Sequence, residues 1–206
     1  MRLFVNGCSF TAGTIESLDG DFDKTWPNVL PYDVTNLSFK GSSNDRILRT
    51  TIRELVDSTP DFVIVQWTFP HRYEYAEDGF VQNALPSFPA HIAERLYYDD
   101  KFLTQLYLLQ TMLEYKHIPY GFIIWWPIHR KTYRSQVWKA INKECIINCE
   151  DGHIIGMDDI LHNRGHKLSM KPIIGHESIP DRHYMADGHK CIADMVGGYI
   201  EDNYNG

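Results

Sequence analysis

Three stretches of the chain are nearly continuous in apolar residues. Runs of this kind are typical of strands that are buried on both faces of a sheet. The first contains Leu3-Phe4-Val5, and the later ones include FVIVQW and YGFIIWW. The pattern predicts strands at residues 2–6, 62–67 and 120–126, and we interpret the more polar stretch DVTNLS at 33–38 as a further strand.

Stretches with apolar residues at helical spacing lie between these runs and after them. Residues 43–57 carry their apolar side chains at intervals of three and four, and Ser43 or Asn44 can cap such a helix. The same spacing predicts a second helix at about 99–116. Two further helices are predicted around Tyr133 to Asn142 and from about 186 to 203.

The alternation of buried strands and amphipathic helices predicts one fold class. Strand, helix, strand order favours an α/β domain of three layers with a mostly parallel sheet. The chain has 206 residues, which fits a single domain over residues 1–206. Residues 69–99 are rich in Pro, Tyr, Phe and His, and we interpret them as a long loop-rich insertion. Residues 150–182 show little periodicity.

Composition narrows the class of protein. Hydrophobic residues make up 43% of the chain and charged residues 23%, as is usual for a soluble globular protein. The formal net charge of −7 argues against a nucleic-acid partner. The sequence contains no run of eighteen apolar residues, so no membrane-spanning helix is predicted. The N-terminus lacks a secretory pattern and there are four cysteines, so we expect a cytoplasmic protein without a disulfide framework.

Polar side chains follow the predicted strands at their carboxyl ends, where parallel sheets bind ligands. Ser9 follows the first strand, and a turn with Gly41 follows the second. His183, with Asp181 nearby, comes just before the last helix. A serine, a glycine-bearing turn and a histidine with an acidic partner are the parts that acyl transfer needs.

Three segments together resemble the sequence blocks of the SGNH (GDSL-type) hydrolases. GCSFT at residues 7–11 is similar to the first block of that family, and NLSFKGSSN at 36–44 is similar to the second. DRHYMADGHKCIA at 181–193 resembles the last block, including a Gly-His pair beyond the catalytic histidine. The resemblance implies a flavodoxin-like sandwich and a serine esterase that needs neither a metal nor an organic cofactor.

The resemblance also implies roles for individual residues. Ser9 would be the nucleophile, His183 the base and then the acid, and Asp181 the group that orients the imidazole. The backbone amides of Ser9 and Gly41 would form the oxyanion hole, with Thr68 as a third donor. We expect Asn44, Trp67 and Arg72 to contact the substrate, a small acyl ester or an acylated glycan such as an O-acetyl carbohydrate.

The chain departs from the family pattern at two places. Cys8 replaces the usual Asp of the first block, which is not catalytic. Gln66-Trp67-Thr68-Phe69 stands where the family has Gly-x-Asn-Asp, so Thr68 occupies the place of an oxyanion-binding Asn. Loss of one such donor typically costs about 10²–10³ in turnover.

Alternatives to this catalytic pair and to this function stay open. Asp187 and His189 repeat the Asp-x-His spacing of Asp181 and His183, although His189 leads directly into the apolar pattern of the last helix. The missing Asn leaves a second function class open: a catalytically weak binding or structural module of the same fold. GCSFT near the start also resembles small phage-encoded proteins of this type, which would imply association with a virion.

Two other kinds of site are disfavoured by spacing. Cys145, Cys149 and His153 stand four residues apart, but Cys-x-x-x-Cys is not usual for a closed zinc site. Gly7 and Gly13 do not form the Gly-x-Gly-x-x-Gly motif of dinucleotide-binding folds, and no phosphate-binding loop occurs. Neither a metal nor a nucleotide is therefore expected.

Overall fold

The structure, a computed structural model, describes residues 1–77, 80–84, 92–173 and 176–204. Its strands are β1 (Arg2–Asn6), β2 (Asp33–Asn36), β3 (Phe62–Trp67), β4 (Tyr73–Glu77), β5 (Phe80–Ala84), β6 (Tyr120–Ile124), β7 (Cys149–Glu150), β8 (His153–Ile154), β9 (Pro172–Ile173) and β10 (His176–Pro180). Its helices are α1 (Ser9–Ala12), α2 (Ile15–Leu18), α3 (Trp26–Val29), α4 (Asn44–Asp57), α5 (Ile92–Tyr115), α6 (Gln136–Ala140), α7 (Met157–Asn163) and α8 (Ala186–Asn203). Single turns of 3-10 helix occur at Phe22–Lys24, Thr132–Arg134 and Lys143–Cys145.

Four strands form the central sheet in the order β2-β1-β3-β6. All the neighbouring pairs are parallel, with Phe4 opposite Val63 and Val65 opposite Phe122. The chain leaves β1 for β2 on one side and returns to β3 on the other, so the order reverses between β1 and β3. Ligands of such sheets bind at this switch point, outside the carboxyl ends of the strands.

Apolar residues cover the sheet on both faces, because successive side chains of a strand point to opposite faces. In β3, Val63 and Val65 pack into one core with α4 and α5, while Phe62 and Ile64 pack into the other. The second core includes Trp26 of α3 together with residues of α7 and α8. Every residue of β3 is buried, which explains its nearly continuous apolar sequence.

The predicted three-layer α/β architecture with a mostly parallel sheet is therefore confirmed. The predicted strands and the helices α4 and α8 occur within two residues of their expected bounds. Ser43 is the N-cap of α4, and its side chain accepts a hydrogen bond from the Arg46 amide.

Other boundaries differ from the expectation. Helix α5 begins at Ile92 rather than near 99, because the good helix formers of residues 93–96 extend it without an apolar stripe. The predicted loop-rich insertion contains the antiparallel hairpin β4–β5, while residues 78–79 and 85–91 lie outside the described part. The weakly periodic region 150–182 contains α7. Among the described residues, no helix combines the length and apolarity that crossing a bilayer requires.

Candidate active site

Three side chains from the two ends of the chain form one hydrogen-bonded series. The Ser9 hydroxyl lies 2.7 Å from His183 Nε2, and His183 Nδ1 lies 2.7 Å from Asp181 Oδ1. A carboxylate can only accept, so the proton of the neutral imidazole is on Nδ1 and Nε2 accepts from Ser9. In this arrangement the imidazole can take the hydroxyl proton while the carboxylate offsets the charge that develops.

The carboxylate is more deeply buried than the imidazole that it contacts. The Asp181 side chain is 1% exposed and that of His183 is 18% exposed. Burial raises the pKa of the Asp181 carboxyl, but the hydrogen bond and charge of His183 outweigh it, and a hydrogen bond from Thr14 adds to them. The net result is a pKa below the ordinary value, so Asp181 is ionised at neutral pH.

The turn that carries Ser9 is fixed by β3. Gln66 Oε1 accepts hydrogen bonds from the Cys8 amide at 3.1 Å, from Cys8 Sγ at 3.2 Å and from Thr11 Oγ1 at 3.1 Å. A Cβ at Gly7 would lie 2.5 Å from Thr11 Oγ1 and 2.9 Å from Gln66 Oε1, so only glycine fits there. Ser9 is the first residue of α1, and its hydroxyl bonds to His183.

The segment that carries Asp181 and His183 is fixed by backbone pairing. The Ser169 amide donates to the His183 carbonyl at 2.7 Å, and the Asp181 amide donates to the Lys171 carbonyl at 2.9 Å. Between them, Arg182 adopts a φ of 52°, which is unusual for a residue with a side chain. The pairing holds this conformation just before α8.

Aromatic rings line the other side of the imidazole. The Phe10 ring is stacked on Trp125 at 3.8 Å between centroids and lies 4.7 Å from the His183 ring. Phe69 and Trp126 continue this wall, with their centroids 5.3 Å apart and both side chains partly exposed. The wall restricts the imidazole and gives the site an apolar side.

The predicted oxyanion donors lie at the ends of β1, β2 and β3. Ser9 contributes an amide in the first turn of α1. Gly41 occupies an exposed turn with a φ of 76°. Thr68 is 1% exposed, and within the described part of the chain its Oγ1 is a buried atom without a hydrogen-bond partner. The Thr68 amide donates to Asn44 Oδ1 at 2.9 Å, so its backbone is anchored.

Two of the predicted substrate contacts, Trp67 and Asn44, are buried in this structure. Trp67 is 0% exposed and packs edge-on against Phe102 and Phe122, because its place in β3 turns it into the core below α5. Asn44 is buried as well. Its side-chain oxygen accepts a hydrogen bond from the Thr68 amide, and its side-chain nitrogen donates to the Thr68 carbonyl. Trp67 is therefore a core residue, and Asn44 holds Thr68 in place.

Arg72 lies partly buried beside the site. Its Nη1 donates to the Ser42 carbonyl at 3.3 Å, and its guanidinium lies 5.1 Å from the centroid of the Phe69 ring. The acidic residue nearest to Arg72 in the sequence, Glu74, forms an ion pair with Arg49 at 2.8 Å. A substrate contact by Arg72 stays a prediction.

The second Asp-x-His pair is separated. Asp187 Oδ2 lies 3.0 Å from His166 Nδ1, and His189 Nδ1 accepts a hydrogen bond from the Trp26 amide at 3.3 Å. Burial lowers the pKa of His189 to about 4, and the charge of His183 acts in the same direction. His189 is therefore a neutral, buried residue between α8 and α3.

Three residues next to the site escaped prediction from the sequence. Thr14, Gln66 and Phe10 contact Asp181, Cys8 and His183 respectively. A polar Gln66 inside an otherwise apolar strand is the one local signal that was present, because a buried amide needs partners. Among the described residues, no three His, Cys, Asp or Glu side chains are grouped as metal ligands would be.

Solved structures of similar fold include esterases and lipases, some of them of the GDSL type. They match nearly the full length of the chain. No family model and no curated protein matches the sequence.

Three of the matching structures illustrate the similarity. Esterase EstA from Pseudoalteromonas sp. has a TM-score of 0.52 and 16% identity, over 98% of this chain and 97% of that one. The acetyl xylan esterase AlAXEase has a TM-score of 0.54 and 11% identity, over 97% of this chain and 100% of that one. A GDSL-like lipase from Bacteroides thetaiotaomicron has a TM-score of 0.50 and 10% identity, over 98% and 88%. At these identities the similarity establishes the fold, and this chain has the SGNH hydrolase fold.

Proposed function

We propose that this protein is a serine esterase or acylhydrolase, with Ser9 as nucleophile, His183 as base and acid, and Asp181 as the orienting carboxylate. The observation that carries the proposal is the continuous series from Ser9 Oγ through His183 to a buried, ionised Asp181. Its position at the carboxyl ends of a parallel sheet, in a fold shared with esterases, supports the same conclusion.

The reaction proceeds in two halves. Ser9 Oγ attacks the ester carbonyl as its proton passes to His183 Nε2, and the amides of Ser9 and Gly41 bind the oxyanion. The intermediate expels the alcohol, which takes the proton from His183, and leaves an acyl group on Ser9. Water then attacks this acyl-enzyme with the same proton transfers, releasing the acid and restoring Ser9.

Thr68 is the proposed third oxyanion donor. Its hydroxyl is buried, lacks a partner in the described structure and belongs to a residue whose backbone is held by Asn44. A hydroxyl in such a position loses hydrogen bonds to water without replacing them, which is costly unless a ligand accepts from it. A developing oxyanion is an acceptor of the required kind.

A small O-acyl ester, such as an acetyl group on a carbohydrate, is the proposed substrate class. One similar structure is an acetyl xylan esterase, and another is a two-domain esterase active on acetylated mannans. The partly exposed rings of Phe69 and Trp126 offer an apolar surface on which a sugar ring can stack. Neither the structure nor the comparisons support the phage-encoded, virion-associated alternative.

Covalent labelling tests the nucleophile directly. A p-nitrophenyl alkylphosphonate should modify the wild type at Ser9, release one nitrophenolate per chain and abolish hydrolysis of p-nitrophenyl acetate. Peptide mass spectrometry locates the adduct. Ser17→Ala removes a hydroxyl that is equally buried and lies eight residues away, so it should label like the wild type.

Two results would contradict the proposal. Labelling or hydrolysis that persists in Ser9→Ala would exclude Ser9 as the nucleophile. A wild type that resists the phosphonate, leaves p-nitrophenyl acetate intact and releases no acetate from acetylated xylan would favour the binding-module alternative.

A further inference from the structure

Thr14 lies directly behind the carboxylate of Asp181. Its Oγ1 is 2.8 Å from Asp181 Oδ2, across 167 residues of sequence, and both residues are buried. Asp181 Oδ1 faces His183 at the same time. The two oxygens of the carboxylate are thus bonded on opposite sides, one by the imidazole and the other by Thr14.

The hydrogen bonds around Thr14 fix the direction of its single proton. Thr14 is the N-cap of α2, and its Oγ1 accepts from the Ser17 amide at 3.2 Å. The Asp181 carboxylate can only accept, so the Thr14 hydroxyl must donate to it. Ser17 Oγ, 2.6 Å from Thr14 Oγ1, then donates to Thr14 rather than receiving its proton.

This arrangement joins a helix cap to the site. A cap hydroxyl normally serves only the first amides of its own helix. Here the same hydroxyl also holds a carboxylate from a segment near the other end of the chain. Without it, the buried carboxylate would keep only the imidazole and the backbone amide of His183 as donors, and it would be freer to turn.

We propose that Thr14 is a positioning residue for the reaction, acting through Asp181 on the imidazole of His183. The inference rests on the proposed function, in which Asp181 orients His183. Thr14 holds the plane of the carboxylate, so that Oδ1 stays aligned with Nδ1 while Nε2 faces Ser9. It contacts neither the substrate nor the reacting atoms.

Two variants separate positioning from helix capping. Thr14→Val replaces the hydroxyl with a methyl group of similar size, removing both the cap and the bond to Asp181. Ser17→Ala removes the reciprocal half of the same capping box but leaves the Thr14–Asp181 bond in place. Thr14→Ser restores the hydroxyl, and Thr14→Ala provides a second deletion without the added methyl group.

Steady-state hydrolysis of p-nitrophenyl acetate gives the first measurement. Thr14→Val and Thr14→Ala should lower kcat by about 10- to 100-fold with KM within about twofold of the wild type, since misplacement of a catalytic group costs turnover rather than binding. Thr14→Ser should recover most of kcat. Ser17→Ala should stay within about threefold of the wild type, even where its melting temperature falls as far as that of Thr14→Val.

The proton resonance of His183 Nδ1–H, observed far downfield by NMR, gives a readout that does not depend on turnover. It should be present in the wild type, Ser17→Ala and Thr14→Ser, and shifted or lost in Thr14→Val. An unchanged kcat and resonance in Thr14→Val would overturn the inference, as would equal losses of kcat in Ser17→Ala and Thr14→Val. If Ser9→Ala keeps full activity, the proposed function fails instead, and the resonance alone then decides whether Thr14 positions the pair.

Discussion

Two Asp-x-His pairs stand six residues apart near the end of the chain, and their side chains make different contacts. Asp181 and His183 bond to each other at 2.7 Å and lead to Ser9. Asp187 instead pairs with His166 on the surface, and His189 is buried against the Trp26 amide. Identical spacing therefore produces one coupled pair and one separated pair.

The backbone explains the difference. Asp181 and His183 precede α8, and their conformation is set by pairing with residues 168–171. Asp187 and His189 lie inside the first turns of α8, where residues two apart point about 200° away from each other around the axis. An Asp-x-His motif therefore couples its side chains only outside a helix.

Replacing each histidine should produce the largest contrast. His183→Ala should lower kcat for p-nitrophenyl acetate by about 10⁶-fold, because Ser9 loses its proton acceptor. His189→Gln keeps an acceptor for the Trp26 amide and should leave kcat within about threefold of the wild type. Near-equal losses in the two variants would mean that the coupled pair has no special part in the reaction.

Replacing each aspartate should produce a smaller contrast of the same kind. Asp181→Asn removes the acceptor that selects the Nδ1–H tautomer, and such a change costs about 10⁴ in kcat in a Ser-His-Asp enzyme. Asp187→Asn weakens a surface pair with His166, which contributes at most about 1 kcal/mol to stability, and should leave kcat unchanged. Chemical denaturation and steady-state kinetics on both variants check these outcomes. Full activity in Asp181→Asn would contradict the proposed role of the carboxylate.

The buried His189 should affect stability with pH rather than activity. Its pKa is about 4 in the folded protein, against an ordinary value of 6.5, so the unfolded chain binds a proton first as the pH falls. Stability is therefore lost between pH 6.5 and pH 4, by about 2 kcal/mol from pH 7 to pH 5 for this group. The loss is complete below pH 4.

Urea unfolding at pH 7 and pH 5 measures this contribution. His189→Gln has no titrating group at the position and should lose about 2 kcal/mol less than the wild type over that interval. The same unfolding measurements on His183→Ala provide the comparison with the histidine of the other Asp-x-His pair. Parallel pH profiles for the wild type and His189→Gln would show that His189 binds its proton as readily in the folded protein as in the unfolded chain.

Local pattern accounts for the parts of the fold that depend on burial. The nearly continuous apolar sequence of β3 predicts a strand with cores on both faces, and the 3.6-residue spacing of α4 predicts its buried side. The start of α5 was missed because its first turns have helix-forming residues but no apolar stripe. Helix α7 was missed because it is only seven residues long.

The strands, the main helices and the order in which Ser9, Gly41, Thr68 and His183 follow them can be predicted from the sequence, because periodicity and strand ends are local properties. Three other features depend on the assembled fold: Trp67 faces the core, Thr14 meets Asp181 across 167 residues, and Gln66 holds Cys8 across 58. These contacts depend on which strands become neighbours and in what register. No local spacing carries that information, since it arises only when the whole sheet is assembled.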